Sequence, residues 1–136
     1  MCIKIFKELL NEYENNNYIY FLLSLSILFQ LRSRTIKNKK NKIIETFRYF
    51  NIYKNSRIKK FPFEVYYNLA RIFHFVGFER FALENYKKVI YNLKNNNEKY
   101  KNKLLFNCIN NVSLIMKKNG NEDKIQHLIF EDIVIN

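Results

Sequence analysis

Residues 66–86 read YYNLARIFHFVGFERFALENY, and this stretch gives the strongest indication of the fold. Its large side chains recur at the three- and four-residue spacing of an α-helix on both sides of one glycine, Gly77. Ala70 and Ala82 place a small residue on each side of that glycine. The pattern predicts two helices that turn at Gly77 and approach each other closely at the two alanines.

The same spacing is that of the tetratricopeptide repeat, a helical hairpin of about 34 residues. Its first helix carries an aromatic, a leucine, a small residue and a second aromatic, and its second helix carries an alanine followed by an aromatic. We predict that one such hairpin is packed by Tyr66, Leu69, Ala70, Phe73, Gly77, Ala82 and Tyr86.

Two other segments follow this pattern less closely. Aligning Gly120 with Gly77 gives a copy offset by 43 residues, in which Val112 and Ser113 hold the leucine and small-residue positions. Toward the N-terminus, Leu23–Ser24 would be the leucine and small residue of a first hairpin. The sequence therefore predicts three hairpins in a row.

The apolar run at residues 18–31, YIYFLLSLSILFQL, is open to three interpretations. A membrane span needs about 20 apolar residues, more than this run provides. A secretory signal follows basic residues, whereas Glu8, Glu12 and Glu14 precede this run. A helix that is apolar on all sides is typical of one packed between neighbours, and we predict a buried repeat helix here.

The predicted fold is all-α, with tetratricopeptide-like helical hairpins stacked in a short right-handed α-solenoid. Glycine and proline number only two and one, too few for the turns of a β-sandwich or barrel. We predict a single helical-repeat domain over residues 1–136. Its elements are a preceding helix at residues 3–14 and hairpins near residues 18–54, 62–92 and 98–134.

Positive charge is concentrated in one window of the sequence. Eleven of the 24 Lys and Arg residues lie between Arg32 and Lys60 with one acid, Glu45, so the window carries +10 and the rest of the chain +2. Such a block indicates either a docking surface for nucleic acid, an acidic protein or anionic lipid, or a solvated lysine-rich face. The candidate basic patch for an acidic partner or DNA backbone is Arg32, Arg34, Lys37, Lys39, Lys40 and Lys42.

Three segments, taken in order, resemble the C-terminal part of a known family. They are YFLLSLSILFQLRSRTIKNKKNKIIETFRYFNIYKNSR, EVYYNLARIFHFVGFERFALENYKKVI and NCINNVSLIMKKNGN. This order resembles the tetratricopeptide-repeat subunit of transcription factor IIIC, the general initiation factor of RNA polymerase III. Ser24 and Ala70 stand where that family usually has glycine, and Lys40 where it has histidine. Family members are several times longer and carry an N-terminal repeat array, so the chain is a fragment, a reduced version or a relative without that array.

The resemblance implies a non-catalytic scaffold subunit of transcription factor IIIC, active in protein–protein assembly during RNA polymerase III transcription initiation at tRNA-type promoters. It implies a nuclear location and other transcription factor IIIC subunits as partners. Recruitment of initiation factor IIIB is associated largely with the N-terminal array of the family. We expect DNA to be contacted through the complex, and whether this chain itself contacts DNA is left open. No membrane partner is expected.

No group of residues has the spacing that catalysis or metal binding needs. Cys2, Cys108, His74 and His127 are isolated from one another along the sequence. The neighbouring acids Glu122–Asp123 would point away from each other on a helix, as dipole and solubility residues do. We therefore expect no enzyme activity, no catalytic or metal site, and no cofactor.

Two further interpretations stay open. A generic tetratricopeptide adaptor would hold a peptide or chaperone partner in its groove, but clamps of that kind need Lys and Asn where Tyr67 and Arg71 stand. A membrane-associated protein would place residues 18–31 in the bilayer and Arg32–Lys42 on anionic headgroups.

Overall fold

The computed structural model describes residues 2–33, 35–94 and 101–120, and the regular elements in those ranges are all α-helices. They are α1 (Cys2–Glu12), α2 (Asn17–Gln30), α3 (Lys39–Arg57), α4 (Pro62–Val76), α5 (Glu79–Lys94) and α6 (Lys101–Lys118). Adjacent helices pack against one another, consistent with a helical-repeat solenoid. The predicted all-α fold is confirmed.

Two compact units make up the chain, residues 1–62 and residues 63–136. The first contains α1, α2 and α3, and the second contains α5, α6 and α4 from Phe63 onward. The first helix of the predicted third hairpin corresponds to α6. Its predicted second helix lies at residues 121–136, outside the described residues.

The N-terminal helix packs on α2 through a one-sided apolar stripe. Ile3, Phe6, Leu9 and Leu10 are partly buried, as expected from their helical spacing. The helix ends at Glu12, and Tyr13, which the sequence pattern places in the same stripe, is exposed. The Tyr13 amide still donates to the Leu9 carbonyl at 2.9 Å, but the Tyr13 side chain stays outside the packed stripe.

One face of α2 forms the centre of the first unit. Its buried residues are Ile19, Leu23, Ser24, Ile27 and Leu28. Leu22 and Phe29 on the other side of the helix are 42% and 54% exposed. The prediction of a buried repeat helix is therefore correct for one face of α2, whereas packing on all sides is not found. The fully buried Leu23–Ser24 pair agrees with the leucine and small-residue positions of a repeat.

Aromatic side chains fill the space between α2 and α3. The Phe21 and Tyr53 rings stack with their centroids 4.7 Å apart, and the Phe50 ring lies 5.4 Å from that of Tyr53. Tyr20 and Tyr49, each one residue before Phe21 and Phe50, also stack, with centroids 6.2 Å apart. Phe50 and Tyr53 are completely buried, so these rings supply much of the apolar area that holds the first unit together.

The turn between α4 and α5 is a complete Schellman motif. The Phe78 amide donates to the Phe73 carbonyl at 2.8 Å, and the Gly77 amide donates to the His74 carbonyl at 3.2 Å. Gly77 has φ +91°, a left-handed conformation that other residues adopt only with strain. The Phe73 and Phe78 rings add the apolar contact that usually accompanies this motif, with centroids 6.4 Å apart. The prediction of a helix stop at Gly77 is confirmed.

The core of the second unit is built from α4, α5 and α6. Ala70, Ala82 and Tyr86 are fully buried in it, together with Val89 and Val112 from α5 and α6. Of the other predicted packing residues, Tyr66 and Phe73 pack on the rim of this core, and Leu69 is half-buried. The two alanines leave room for the large Tyr86 side chain to lie between the helices.

Candidate basic interface

The basic patch lies at the connection between α2 and α3 and at the start of α3. Arg32 follows the last residues of α2, and its guanidinium lies 5.7 Å from the centroid of the Phe29 ring. Lys37 is exposed in the connection, and Lys39 and Lys40 are exposed in the first turn of α3. Arg34 lies outside the described residues. The described patch residues therefore occupy one connection and one helix end.

The first turn of α3 has an unfavourable electrostatic arrangement. A helix N-terminus carries partial positive charge, and a lysine there costs about 0.3–1 kcal/mol at low salt. Lys39 and Lys40 occupy this turn with no acidic residue, and Asn38 before them is left-handed at φ +62° and makes no side-chain capping hydrogen bond. The first turn of α3 therefore concentrates positive charge without a compensating acidic residue.

Lys42 belongs to an ion-paired group rather than to the exposed patch. Its ammonium nitrogen lies 3.2 Å from one oxygen of Glu45, and the Lys7 ammonium of α1 lies 3.5 Å from the other oxygen. Glu45 therefore offsets part of the charge that the sequence assigns to Lys42. The outward-facing charge of the described patch comes from Arg32, Lys37, Lys39 and Lys40.

The structure adds basic residues that sequence reasoning missed. Lys4 and Lys7 on α1 line an open groove of about 470 Å³ together with Lys42 of α3, and the acidic Glu8 lines it as well. Glu8 lies 4.0 Å from the Lys4 ammonium, and Glu45 lies 3.5 Å from that of Lys7, so part of this charge is paired. The two α1 lysines share one face because they are three residues apart. Nothing in the sequence pattern connects this face with residue 42, which lies far away along the chain.

Polar contacts at the end of α6 join it to the start of α5. The Lys118 ammonium lies 2.7 Å from one Glu79 oxygen, and the Asn119 amide donates to the other at 3.0 Å. The Lys118 hydrogen bond, followed by that of Asn119, lowers the pKa of Glu79. Burial lowers the pKa of the nearby His74, with Glu79 opposing this shift and Lys118 adding to it.

His74 and Cys108 act as packing residues. The half-buried His74 ring meets the Tyr86 ring edge-on, with centroids 6.3 Å apart. Burial raises the pKa of the Cys108 thiol to about 12, so the thiolate needed for reactivity is not formed at neutral pH. The second described cysteine, Cys2, is exposed and separate from it.

The buried Tyr86 hydroxyl is the one polar side-chain atom that the described core leaves without a hydrogen-bond partner. Burial raises the pKa of Tyr86, and the interaction of its hydroxyl with the Asn111 side chain opposes this shift.

In the part of the chain that the structure describes, no group of three His, Cys, Asp or Glu side chains could hold a metal ion. None of the helices α1 to α6 combines the length and the apolar character that crossing a bilayer requires. His127 lies outside the described residues.

Comparison with models of known protein families found none that matches the chain. Comparison with curated proteins found no similar sequence either.

Proposed function

We propose that this chain is a non-catalytic scaffold subunit of transcription factor IIIC that works by protein–protein assembly in RNA polymerase III transcription initiation at tRNA-type promoters. The proposal rests on the ordered resemblance of residues 20–57, 64–90 and 107–121 to the tetratricopeptide-repeat subunit of that factor. Other subunits of the factor are the proposed partners, with initiation factor IIIB as a further one, and the nucleus is the proposed location.

Exposed apolar side chains on α5 and α6 are the observation that carries an assembly role. Phe81 and Tyr91 on α5 are 53% and 69% exposed, and Phe106 and Leu114 on α6 are 63% and 60% exposed. Aromatic side chains are enriched in protein interfaces because they bury a large area and lose few rotamers on binding. These four residues are therefore the proposed contacts to neighbouring subunits.

The basic patch supplies the second proposed contact, with promoter DNA or an acidic partner. Lysine and arginine contacts with phosphates give affinity without reading the base sequence, and this affinity falls steeply with salt. The start of α3, with Lys39 and Lys40 at the positive end of the helix dipole, is the proposed centre of this contact.

Affinity purification tests the assembly role. The tagged chain is expressed in its own cells, and the proteins that co-purify are identified. We expect other transcription factor IIIC subunits in the eluate. A chaperone alone, or recovery of the chain with a membrane fraction, would overturn the proposal and favour the adaptor or the membrane interpretation.

Charge reversal then tests the basic patch in the same preparation. We expect the K39E/K40E double variant to weaken retention of the complex on promoter DNA or on an acidic subunit. The matched control is K87E/K103E, which makes the same change in net charge at two exposed lysines of α5 and α6. Equal loss in the two double variants would assign the effect to net charge and remove the special role of α3.

A further inference from the structure

One face of α3 is exposed along most of the helix. The opposite side holds its buried residues, Thr46, Phe50 and Tyr53. The exposed face carries four side chains in a row, each four residues after the one before: Lys40, Ile44, Arg48 and Ile52. At 3.6 residues per turn these positions fall within a sector of about 120°, and at a rise of 1.5 Å per residue they span about 18 Å. We call this row the α3 ridge.

The α3 ridge alternates positive and aliphatic side chains. Ile44 is 50% exposed and Ile52 is 39% exposed, so two large apolar side chains lie in contact with water beside the cations. In the part of the chain that the structure describes, Lys40 and Arg48 form no ion pair. The ridge therefore offers a partner two positive charges to neutralise and two apolar side chains to bury.

The acid of α3 lies off this ridge. Glu45 is the one acidic residue among the 19 residues of the helix, and it contacts Lys7 of α1 and Lys42. Lys37 and Lys39, both exposed, extend the positive charge beyond the N-terminal end of the ridge. No acidic residue of α3 itself therefore opposes a negatively charged partner on this face.

The spacing of the α3 ridge suits a second helix. Side chains four residues apart form the ridges by which α-helices pack, and a partner helix receives such a ridge in the groove between its own rows of side chains. Ile44 and Ile52 are about 12 Å apart along the axis, so a partner helix of about three turns covers both. Acids at the edges of that helix would lie beside the cations of the ridge, which gives charge complementarity along the whole contact.

Other anionic partners would use only part of the ridge. The backbone of DNA would neutralise Lys40 and Arg48, but it would place Ile44 and Ile52 against phosphates, which make no favourable contact with aliphatic groups. An acidic peptide without helical structure would pair with the cations but would not repeat its apolar groups at the spacing of the two isoleucines. Charge and apolar spacing together favour an acidic amphipathic helix.

We propose that the α3 ridge docks an acidic amphipathic helix of a partner protein, whose aliphatic side chains cover Ile44 and Ile52 and whose carboxylates pair with Lys40 and Arg48. The apolar contact supplies most of the affinity, and the charges select the partner and speed its association. The inference rests on the proposed assembly role and deepens it, because it names the chemistry of the partner that the basic patch receives. Promoter DNA, the other candidate for this contact, becomes an outcome of the test.

Binding of a fluorescently labelled peptide to the full chain, followed by anisotropy, tests the ridge. The probe is an 18-residue peptide with leucines on one face of its helix and glutamates on the other, long enough to populate a helix on its own. The reference peptide has the same composition, with its leucines spread around the helix. We expect the amphipathic peptide to bind more tightly, because the two peptides have equal charge and only the first has an apolar face.

Substitution of the isoleucines tests the apolar half of the ridge. We expect Ile44→Gln and Ile52→Gln each to weaken peptide binding about tenfold, because a large apolar side chain is no longer buried in the contact. Glutamine is a good helix former, so α3 itself is preserved. The matched control is Ile5→Gln, which replaces an isoleucine that is 44% exposed on α1 and should leave peptide binding unchanged.

Arg48→Gln tests the charged half of the ridge. We expect it to weaken peptide binding about two- to fivefold at low salt and to reduce the salt dependence of binding. Lys87→Gln, which removes one exposed cation from α5, should have a smaller effect. Far-UV circular dichroism verifies that each variant is folded, and if Ile44→Gln fails to fold, Ile52→Gln and Arg48→Gln decide.

Three outcomes would overturn this inference. They are a loss in Ile44→Gln and Ile52→Gln no larger than that in Ile5→Gln, equal binding of the two peptides, or tighter binding of an 18-base-pair DNA duplex or of phosphatidylserine vesicles than of the amphipathic peptide at the same salt concentration. Each can occur while transcription factor IIIC subunits still co-purify with the chain, so failure of the ridge is distinguishable from failure of the proposed function.

Discussion

In the hairpin of α2 and α3, residues 31–38 connect the two helices, whereas only Gly77 and Phe78 connect α4 to α5. The long connection and the turn that follows it carry Arg32, Lys37, Lys39 and Lys40, all exposed. The short connection is fixed by two backbone hydrogen bonds and a left-handed glycine. The long connection thus exposes several charged side chains, whereas the short one has room only for the turn that sets the angle of two helices.

The interiors of the two hairpins differ in the same way. Rings of Phe21, Phe50 and Tyr53 fill the α2–α3 pair, while Ala70 and Ala82 are buried in the pair of α4 and α5. The stability of the first hairpin depends on large aromatic rings, so that removing one should destabilise it. The stability of the second depends as much on small residues, so that replacing one by a larger residue should destabilise it.

Removal of the central ring of the first hairpin should have the largest effect. We expect Tyr53→Ala to lower the free energy of unfolding by about 3–5 kcal/mol, because it empties a fully buried site among aromatic rings. Urea denaturation followed by circular dichroism measures this change. Tyr49→Ala, at a half-buried position of the same helix, is the matched control, and an equal loss there would refute the central role of Tyr53.

Enlargement of a small residue tests the second hairpin. Ala82→Leu should cost about 1–3 kcal/mol in the free energy of unfolding, because Ala82 is fully buried and three added carbons would have to displace its packed neighbours. The control is Glu84→Leu on the exposed face of α5, which should change stability by less than about 0.5 kcal/mol. A neutral Ala82→Leu variant would mean that the alanine does not limit the packing of this helix.

Each connection contains a described left-handed residue, Asn38 in the long one and Gly77 in the short one. Gly77→Ala should cost about 1–2 kcal/mol, entirely from its φ of +91°, since an added Cβ would meet no atom within 4 Å. Asn38→Gly, at φ +62° before α3, should change stability by only a few tenths of a kcal/mol because asparagine already tolerates this conformation. Thermal denaturation of both variants checks the difference, and equal shifts in Tm would contradict it.

Mild acid should have the smallest effect, confined to the second unit. Burial keeps the pKa of His74 below its usual 6.5 in the folded chain, so the unfolded chain binds more protons as the pH falls below 6.5. The free energy of unfolding should therefore decrease between pH 7.5 and 5.5. Denaturation at both values measures the decrease, and His74→Gln should remove it. An unchanged pH dependence in that variant would assign the effect to another group.

Local patterns in the sequence predicted the second hairpin well. Gly77 as a left-handed stop follows from backbone preferences that act within a few residues. The Ala-to-aromatic spacing likewise marks residues that are buried in the structure, Ala82 and Tyr86. The burial of the apolar run at residues 18–31 was harder to predict, because composition alone cannot show that Leu22 and Phe29 are exposed.

The basic window was the least predictable part. The sequence presents it as one continuous patch, but α3 separates its two ends by about 27 Å. Lys42 is paired with Glu45, which also binds Lys7 from another helix. Arg57 lines a pocket together with the turn at residues 15–17, about 40 residues earlier in the chain. No local sequence pattern indicates that these two segments lie close together.

The helical class, the stop at Gly77 and the positions of large and small packing residues could be read from the sequence, because they depend on backbone preference and on the period of the helix. The folded structure was needed to show which charges are paired, which are exposed, and which aromatic rings contact Arg57. Charge pairing and ring stacking act over a few ångströms in space, between residues whose separation along the chain leaves no periodic signal.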